Sequence, residues 1–359
     1  MPFTRREFGG TIAGALAVAG AAASTRAQTQ DAGSLTDVPG LRVGHATDPR
    51  RPTGCTAILF DSAVAAGVDY DGSAPGESMG VMLQPVSTVD RIHALFLTGG
   101  GVLSIPAAAG VLRFLDERKV GFDWGTPDLR IPIVVSAVID DLSIGVGDPR
   151  QRPDAELAYK ACTAASTSKV AEGNIGAGTG ATVGKMHRGR GFGGMKGGIG
   201  TASLKLGDVV IGALAVVNAA GDVLDWRSGR IVAGARKPSG GFADSVDVMR
   251  AFVLKTPGAP LEDDAFHSTT LAVVATNVEL GKPALTKVAM MANCGASRVI
   301  RPYHTTGDGD QLFAISTGAL TRPDIALTVL GSLAADVIAE AIVRGVRAAQ
   351  SVEGWPGLR

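Results

Sequence analysis

Short apolar runs rich in β-branched residues alternate along the chain with longer stretches in which apolar residues recur every three or four positions. The short runs are typical of buried strands, and the longer stretches of helices that bury one face. The pattern predicts strands over 55–60, 63–68, 93–97, 133–139, 201–206, 209–218, 269–276 and 311–316, and helices over 106–117, 154–164, 283–292 and within 324–350. Gly207 and Asp208 predict a hairpin turn between two of the strands. The chain is therefore of the mixed α and β class.

Residues 233–264 depart from this pattern. They contain a Pro-Ser-Gly-Gly run at 238–241, a Pro-Gly-Ala-Pro run at 257–260 and three acidic residues at 262–264. Turn-forming and charged residues at this density predict a long exposed excursion. Nothing resembling a linker separates two cores, so we expect a single domain over 28–359.

Three hydroxyl residues, Ser268, Thr269 and Thr270, stand where the excursion enters the strand predicted over 269–276. Hydroxyls at a strand start are usually hydrogen-bonding structure. A second interpretation is chemical. If the peptide bond before one of them were cut, that residue would own a free α-amine, whose ordinary pKa of ~8 makes it a usable base for its own hydroxyl.

The composition narrows the classes of partner. Lys and Arg together number 34, as do Asp and Glu, and 45% of the residues are apolar. Zero net charge excludes a disordered polyelectrolyte and gives no basic footprint for nucleic acid. Aromatic residues are only 5% while glycines number 49, which predicts a core of small and aliphatic side chains with close backbone approaches. Cys55, Cys162 and Cys294 stand far apart, so neither a disulfide framework nor a structural zinc site is expected.

The amino terminus has the features of an export signal. Arg5 and Arg6 precede an uncharged run rich in Ala and Gly over 9–24, and small residues around Ala27 provide a cleavage site. A membrane anchor would need about 20 strongly apolar residues. We therefore expect residues 1–27 to be a twin-arginine signal peptide, and the mature protein to be periplasmic or secreted and not bound to a membrane.

A glycine-rich segment spans 173–185 and ends at Lys185. It is not a Walker A loop, because Met186 follows the lysine where Ser or Thr is needed. The GxGxxA match that begins at Gly176 lacks the preceding strand and the later acid of a dinucleotide-binding fold. Two interpretations stay open: a turn-rich loop, or a backbone-lined site whose N–H groups face a developing oxyanion. Lys185 and Lys196 would be the nearest charges.

Asp308 and Asp310, here called the acidic pair, stand two positions apart at the entrance to the strand predicted over 311–316. Residues i and i+2 of an extended chain share a face, so the two carboxylates are expected to lie close together, which raises one pKa and suits proton transfer. The alternatives are solvated loop acids and a calcium or magnesium site, for which further oxygen ligands are not evident. The five histidines stand singly, and no Gly-x-Ser-x-Gly elbow precedes a helix.

Several blocks follow one another in a characteristic order between about residues 41 and 348. They are VGHATD at 43–48, TGCT at 53–56, GVD at 67–69, APG at 74–76, LTGG at 97–100, the glycine-rich segment, KGGIGTAS at 196–203, VVN at 216–218, TTLAVVATN at 269–277 and GDGD at 307–310. Together they resemble the DmpA-like aminopeptidases, which include L-aminopeptidase/D-esterases, β-aminopeptidases and nylon-oligomer (6-aminohexanoate) hydrolases. The resemblance implies an α+β fold, a four-layer αββα sandwich like that of N-terminal-nucleophile hydrolases.

The resemblance also implies self-cleavage into an α chain, 28–268, and a β chain, 269–359. Thr269 would be the new N-terminus and Ser268 the last residue of the α chain. Family members carry Ser or Thr at the new terminus, often after Asn or Gly. The cut can therefore fall before Ser268 or before Thr269, and the spacing back from 275–276 favours Thr269.

Further site residues are implied by position. Asn218 matches the family's strand-end asparagine, which holds the amine or the oxyanion. Lys185 matches the active-site lysine of threonine-type members, and Asp308 and Asp310 match their acidic pair. Asp140 stands where Tyr or Phe is common.

The expected chemistry is amide hydrolysis by the hydroxyl of Thr269 with its own α-amine as base. The acidic pair would orient the nucleophile and its ammonium, while Lys185 and Asn218 would stabilise charge, with no metal or cofactor required. Small peptides, amides or esters are the expected substrates, with aminopeptidase action ranked ahead of endo-type hydrolysis of linear amide oligomers. Family members form tetramers of αβ units, which we expect here too. The competing class is a non-enzymatic periplasmic binding protein whose chain stays intact.

Overall fold

The structure, a computed structural model, describes residues 33–255 and 268–359. The predicted export signal over 1–27 and the end of the predicted excursion, within 256–267, lie outside the described residues. Ser34–Arg359 form one compact unit. No helix in the two described ranges is long and apolar enough to cross a membrane.

The strands of the described ranges are mostly short and apolar. They are β1 (Leu41–Thr47), β2 (Gly54–Asp69), β3 (Glu77–Ser78), β4 (Arg91–Thr98), β5 (Phe122–Asp123), β6 (Arg130–Ile131), β7 (Val134–Val138), β8 (Thr182–Val183), β9 (Met195–Lys196), β10 (Gly198–Leu206), β11 (Val209–Val217), β12 (Asp222–Leu224), β13 (Ile231–Ala233), β14 (Leu271–Val278), β15 (Ile300–Arg301) and β16 (Gln311–Leu320). Nine of them form one sheet in the order β10-β11-β14-β16-β2-β4-β7-β3, with β1 paired to β2. β11 and β14 are apolar on both faces because both faces are covered.

The α-helices of the described ranges agree with the predicted helical stretches, with one addition. They are α1 (Ala108–Asp116), α2 (Ala155–Thr163), α3 (Ser245–Lys255), α4 (Lys282–Ser297) and α5 (Leu327–Arg347). Asp154 caps α2, since its side chain accepts a hydrogen bond from the Leu157 N–H. Pro283 stands in the first turn of α4, where a missing N–H costs nothing.

Successive side chains of the central strands point to opposite faces of the sheet. The apolar side chains of the interior therefore form three layers. Val274 and Leu312 contact the side chains of α4 and α5, whereas their neighbours Val273 and Phe313 face a central core shared with β2, β4 and β7. The other face of β2, β4 and β7 packs against α1 and α2. Two helical layers thus enclose two packed parts of the sheet, and the predicted four-layer α+β architecture is confirmed.

The abundance of small residues follows from how closely helices approach the sheet. A Cβ atom on Gly200 of β10 would lie 2.0 Å from the carbonyl oxygen of Ala341 in α5. No side chain fits at that distance, so α5 rests directly on the strand backbone. The glycine-rich composition predicted close approaches between backbones, and this contact is one of them.

Two sequence-based element predictions were wrong in detail. The strands predicted over 55–60 and 63–68 are one strand, β2, with a register irregularity between Leu59 and Val64 in its pairing with β4. The polar Asp61 and Ser62 at this irregularity break the apolar pattern without breaking the strand. The predicted excursion over 233–264 contains α3, whose sole buried residue is Ser245, so the helix left little apolar pattern to detect.

Three chain segments meet at one edge of the sheet, where β11 ends and β14 and β16 begin. Val216 of β11 pairs with Leu271 of β14 in antiparallel register, and Leu271 pairs with Gln311 of β16 in parallel register. This register brings Asn218, Thr269 and the acidic pair to adjacent positions.

Candidate active site

Thr269 lies buried just before β14, and its backbone connects it to both neighbouring segments. Its N–H donates to the Asn218 carbonyl oxygen at 2.9 Å. Its hydroxyl, Oγ1, donates to the carbonyl oxygen of Ser268 at 2.7 Å. The hydroxyl therefore sits against the carbonyl group of the very peptide bond that the sequence predicts to be cut.

The same carbonyl oxygen of Ser268 has a second donor. The Gly309 N–H lies 2.9 Å from it, between the two aspartates of the acidic pair. A Cβ atom on Gly309 would lie 2.4 Å from the Ala74 carbonyl oxygen and 2.7 Å from Thr269 Oγ1. Only glycine leaves room for this approach, and the Gly309 N–H favours negative charge on the carbonyl oxygen of Ser268.

Asn218 is fully buried and connects the nucleophile candidate to the glycine-rich segment. Its side-chain oxygen accepts from Lys185 Nζ at 2.6 Å and from the Thr182 N–H at 3.0 Å. Its side-chain amide nitrogen donates to the backbone carbonyl of Asp140 at 3.3 Å. The side chain is thus held in one orientation at the end of β11.

Lys185 is the cation closest to this asparagine. Besides Asn218, its Nζ donates to Thr182 Oγ1 at 3.1 Å. Burial lowers the pKa of Lys185 to about 7, although the carboxylates of Asp140 and Asp308 oppose the shift. At neutral pH the amine can therefore exist in both protonation states, as proton-transfer groups require.

The acidic pair is buried, and its two members differ in environment. Asp310 accepts from the Thr270 N–H at 2.6 Å and from the His304 N–H at 3.2 Å. Asp308 accepts from the Thr305 N–H at 2.9 Å. Burial and the neighbouring Asp310 raise the pKa of Asp308 to about 7, so Asp308 can exchange a proton at neutral pH, while Asp310 holds the residue after Thr269.

Asp140 and Asp141 lie on the other side of Asn218. Asp141 is fully buried and accepts from Thr53 Oγ1 at 2.7 Å and from the Gly100 N–H at 2.9 Å, and burial raises its pKa to about 6. Asp140 is half-buried, and one of its carboxylate oxygens accepts from the Leu142 N–H at 2.9 Å. Asp141 therefore belongs to the interior, while Asp140 is partly open to solvent.

Most N–H groups of the glycine-rich segment donate to other groups of the protein. The N–H of Gly176 donates to Thr47 Oγ1, that of Ala177 to Thr56 Oγ1, and that of Thr182 to Asn218. Of the two interpretations left open, the geometry favours the turn-rich loop. Lys196, expected near the site, is fully buried beneath this loop and donates to the carbonyls of residues 178, 181 and 197 at 2.7–3.0 Å.

The structure thus brings together Thr269, Asn218, Lys185 and the acidic pair, and it separates Lys196 from them. Sequence reasoning missed Thr182, Thr305 and Gly309, whose polar contacts depend on tertiary structure. Within the described ranges, no group of three or more His, Cys, Asp and Glu side chains is arranged to hold a metal ion.

Solved structures share this fold. A β-aminopeptidase from Burkholderia sp. superimposes with a TM-score of 0.65 at 24% identity, covering 92% of both chains. The L-aminopeptidase D-Ala-esterase/amidase of Ochrobactrum anthropi, described as a variant of the Ntn hydrolase fold, gives a TM-score of 0.63 at 22% identity over 90% of this chain and 89% of the other. The predicted N-terminal-nucleophile hydrolase fold is confirmed.

Two similar curated proteins carry the names of enzymes. An uncharacterized aminopeptidase of Mycobacterium tuberculosis is 37% identical over 363 residues, which cover 91% of this chain and 97% of the relative. A 6-aminohexanoate-oligomer endohydrolase of Kocuria sp. is 32% identical, covering 87% of this chain and 85% of the relative. The alternative of a non-enzymatic binding protein has no support among these relatives. Because the model of peptidase family S58 matches residues 33–359, the chain belongs to that family and is a peptidase or amidase, as the resemblance predicted.

Proposed function

We propose that this enzyme cuts its own chain before Thr269 and then acts as an aminopeptidase with the new N-terminal threonine as nucleophile. The observation that carries the proposal is the 2.7 Å contact between Thr269 Oγ1 and the Ser268 carbonyl oxygen, in a site where that oxygen also receives the Gly309 N–H. A hydroxyl against its own preceding carbonyl is poised for an N→O acyl shift.

Self-cleavage would proceed in two steps. Thr269 Oγ1 attacks the Ser268 carbonyl carbon, the C–N bond breaks, and the hydroxyl proton goes to the leaving nitrogen, which gives an ester and a free amine. Water then hydrolyses the ester to a Ser268 carboxylate and the Thr269 hydroxyl. The Gly309 N–H stabilises the oxyanion of the first step, and the Asn218 carbonyl holds the nitrogen as it becomes an amine.

The mature enzyme would use the same groups on an external amide. The free α-amine of Thr269, with an ordinary pKa of ~8, takes the Oγ1 proton during attack and returns it to the leaving amine of the substrate. Water releases the acyl group in a second half-reaction. Asn218 and Lys185 stabilise developing charge, and Asp310 holds the nucleophile in place through the Thr270 N–H.

The position of Asp140 favours an enzyme that removes residues from the free N-terminus of a peptide substrate. Its backbone carbonyl accepts from the side chain of Asn218, and its half-buried carboxylate lies within electrostatic reach of Lys185. A fixed anion there would pair with the α-ammonium of a peptide and align the first amide bond with Thr269. The second candidate is endo-type hydrolysis of linear amide oligomers, favoured by relatives named 6-aminohexanoate-oligomer endohydrolases at 31–32% identity.

Two further properties belong to the proposal. The precursor is exported by the twin-arginine route, and replacing Arg5 and Arg6 by lysine should leave it in the cytoplasm; undiminished export of that variant would exclude this route. The mature enzyme assembles as a tetramer of αβ units, and light scattering that showed a single αβ unit would exclude the assembly.

Denaturing gel electrophoresis with N-terminal sequencing tests the cut. We expect two fragments, the smaller beginning at Thr269. Thr269→Ala should stay intact, whereas Ser268→Ala should still be cut; the reverse result would move the nucleophile to Ser268. Gly309→Ala should slow cleavage, because its Cβ would meet Thr269 Oγ1.

A substrate panel of amino-acid p-nitroanilides, β-alanyl amides and 6-aminohexanoate oligomers tests the activity. Release of N-terminal residues supports the aminopeptidase, and early release of internal fragments would reverse the ranking. If a correctly cut protein hydrolysed none of them, both candidates would fail.

A further inference from the structure

Thr182 lies within the glycine-rich segment, in the two-residue strand β8, and its side chain is fully buried. β8 pairs with β9, which places Thr182 opposite Lys196. The carbonyl oxygen of Ala181, the preceding residue, accepts from the Lys196 amine at 2.7 Å and from the Gly197 N–H at 2.8 Å. β9 and the Lys196 amine thus hold the backbone at Thr182 in place.

The chain turns back after β8, so that Lys185 returns to Thr182. Gly184 has a φ of +65°, in the left-handed region that glycine adopts without strain. A Cβ atom on Gly184 would also lie 2.1 Å from the carbonyl carbon of Gly234, so no other residue fits there. This turn brings Lys185 Nζ to 3.1 Å from Thr182 Oγ1.

The hydroxyl of Thr182 connects two side chains of the proposed active site. Its Oγ1 accepts from Lys185 Nζ and donates to the side-chain oxygen of Asn218 at 3.3 Å. The Thr182 N–H donates to the same oxygen at 3.0 Å. A hydroxyl has one proton to donate, and here it goes to the asparagine while the lysine supplies its own. The side-chain oxygen of Asn218 therefore faces Thr182 and Lys185, and its amide nitrogen donates to the Asp140 carbonyl.

We propose that Thr182 is a positioning residue for the hydrolysis: its hydroxyl aims the Lys185 amine at Asn218 and fixes the orientation of the Asn218 amide. The inference rests on the proposed function, in which Lys185 and Asn218 stabilise charge that develops on the substrate. Donors stabilise such charge best when they are oriented before the reaction begins. Loss of the hydroxyl should therefore lower kcat and leave KM nearly unchanged.

The test uses three substitutions of Thr182 and one control. Thr182→Val places a methyl group where Oγ1 lies, 3.1 Å from Lys185 Nζ, which is closer than the about 3.5–4.0 Å at which non-bonded carbon atoms pack. Thr182→Ala removes the hydroxyl without this clash, and Thr182→Ser keeps the hydroxyl. Thr179→Val is the matched control, because Thr179 is also buried in the segment but its hydroxyl donates to the carbonyl oxygen of Gly176 at 2.7 Å.

Steady-state kinetics on correctly cut enzyme provide the first measurement. Thr182→Val and Thr182→Ala should each lower kcat about tenfold and leave KM within about twofold, as expected for one lost hydrogen bond to a charged donor. Thr182→Ser should stay within about threefold of the wild type, and Thr179→Val within about twofold. A normal kcat in Thr182→Ala, or an equal loss in Thr182→Ser, would overturn the proposal.

A double-mutant cycle tests whether Thr182 acts through Lys185. In the Lys185→Met background, Thr182→Ala should lower kcat by about threefold or less instead of about tenfold, because no amine is left for the hydroxyl to aim. Equal losses in the two backgrounds would mean that Thr182 supports the fold alone, and the proposal would fail.

Crystal structures of the Thr182 variants need no turnover, and they decide the matter if a variant does not cut itself. In Thr182→Ala the Lys185 amine or the Asn218 amide should leave the position described here, and in Thr182→Ser both should keep it. Unchanged positions in Thr182→Ala would overturn the proposal. Wild-type protein that neither cuts itself nor hydrolyses amides would instead contradict the proposed function, whatever these variants show.

Discussion

Two lysines contact the glycine-rich segment, and their surroundings differ: Lys185 is half-buried and Lys196 is fully buried. Burial lowers the pKa of both Lys185 and Lys196 to about 7. Their partners differ: Lys185 donates to the side chains of Asn218 and Thr182, while Lys196 donates to three backbone carbonyls. A lowered pKa is therefore shared by a lysine that contacts the proposed site and by one that holds a loop together, and their hydrogen-bond partners distinguish them.

The largest expected effect separates the two lysines by activity. Lys185→Met should lower kcat/KM about 100-fold or more, because it removes a charged donor beside the nucleophile, a loss of about 3 kcal/mol in the transition state. Its urea midpoint should stay near that of the exposed-site control Lys205→Met. Steady-state kinetics on an amide substrate provide the measurement, and a loss below tenfold would remove Lys185 from the chemistry.

The next effect is on stability and falls on the other lysine. Lys196→Met leaves three buried carbonyl oxygens without their shared donor, so we expect about 3 kcal/mol less free energy of unfolding. Urea denaturation measures it. If Lys196→Met unfolded like Lys205→Met, the loop would not depend on the buried cation, and the contrast between the lysines would collapse.

A smaller effect concerns the carboxylate that faces Lys185. Asp140→Asn should lower kcat/KM about tenfold for a substrate with a free α-ammonium, equivalent to about 1.4 kcal/mol. The N-acetylated form of the same substrate should be unaffected or hydrolysed faster. Equal losses on both substrates would show that Asp140 acts on Lys185 and not on the substrate's amino group.

The smallest effect is the pH dependence of folding. The unfolded chain keeps its lysines protonated up to about pH 10, while the folded chain releases both protons near pH 7. The unfolded state binds more protons above pH 7, so stability should rise with pH between 7 and 7.5, by less than about 1.4 kcal/mol for the two lysines together. Urea titrations across this range should show a shallower rise in Lys196→Met; parallel curves would mean that Lys196 keeps its proton.

Local patterns predicted much of the fold. The hairpin at Gly207 and Asp208 is present, with Leu206 paired to Val209, because a turn signal between two apolar runs acts over a few residues. α3 was missed because its sole buried residue is Ser245.

The site was only partly predictable. The acidic pair could be identified because its members are two positions apart in sequence. The contact of the Gly309 N–H with the Ser268 carbonyl oxygen joins residues far apart in the chain, and no local pattern encodes it. Lys185 and Lys196 look alike in sequence because the sequence does not show which atoms their amines contact.

The order of strands in the large sheet has a consequence for a chain that is cut before Thr269. β14 and β16 lie between β11 and β2, so the smaller fragment would supply two inner strands together with α4 and α5. Neither fragment could complete the sheet alone, and folding must therefore come before the cut. After it, unfolding becomes the separation of two molecules, and its midpoint should depend on protein concentration. The break would turn a reversible fold into an assembly that, once denatured and diluted, does not readily form again.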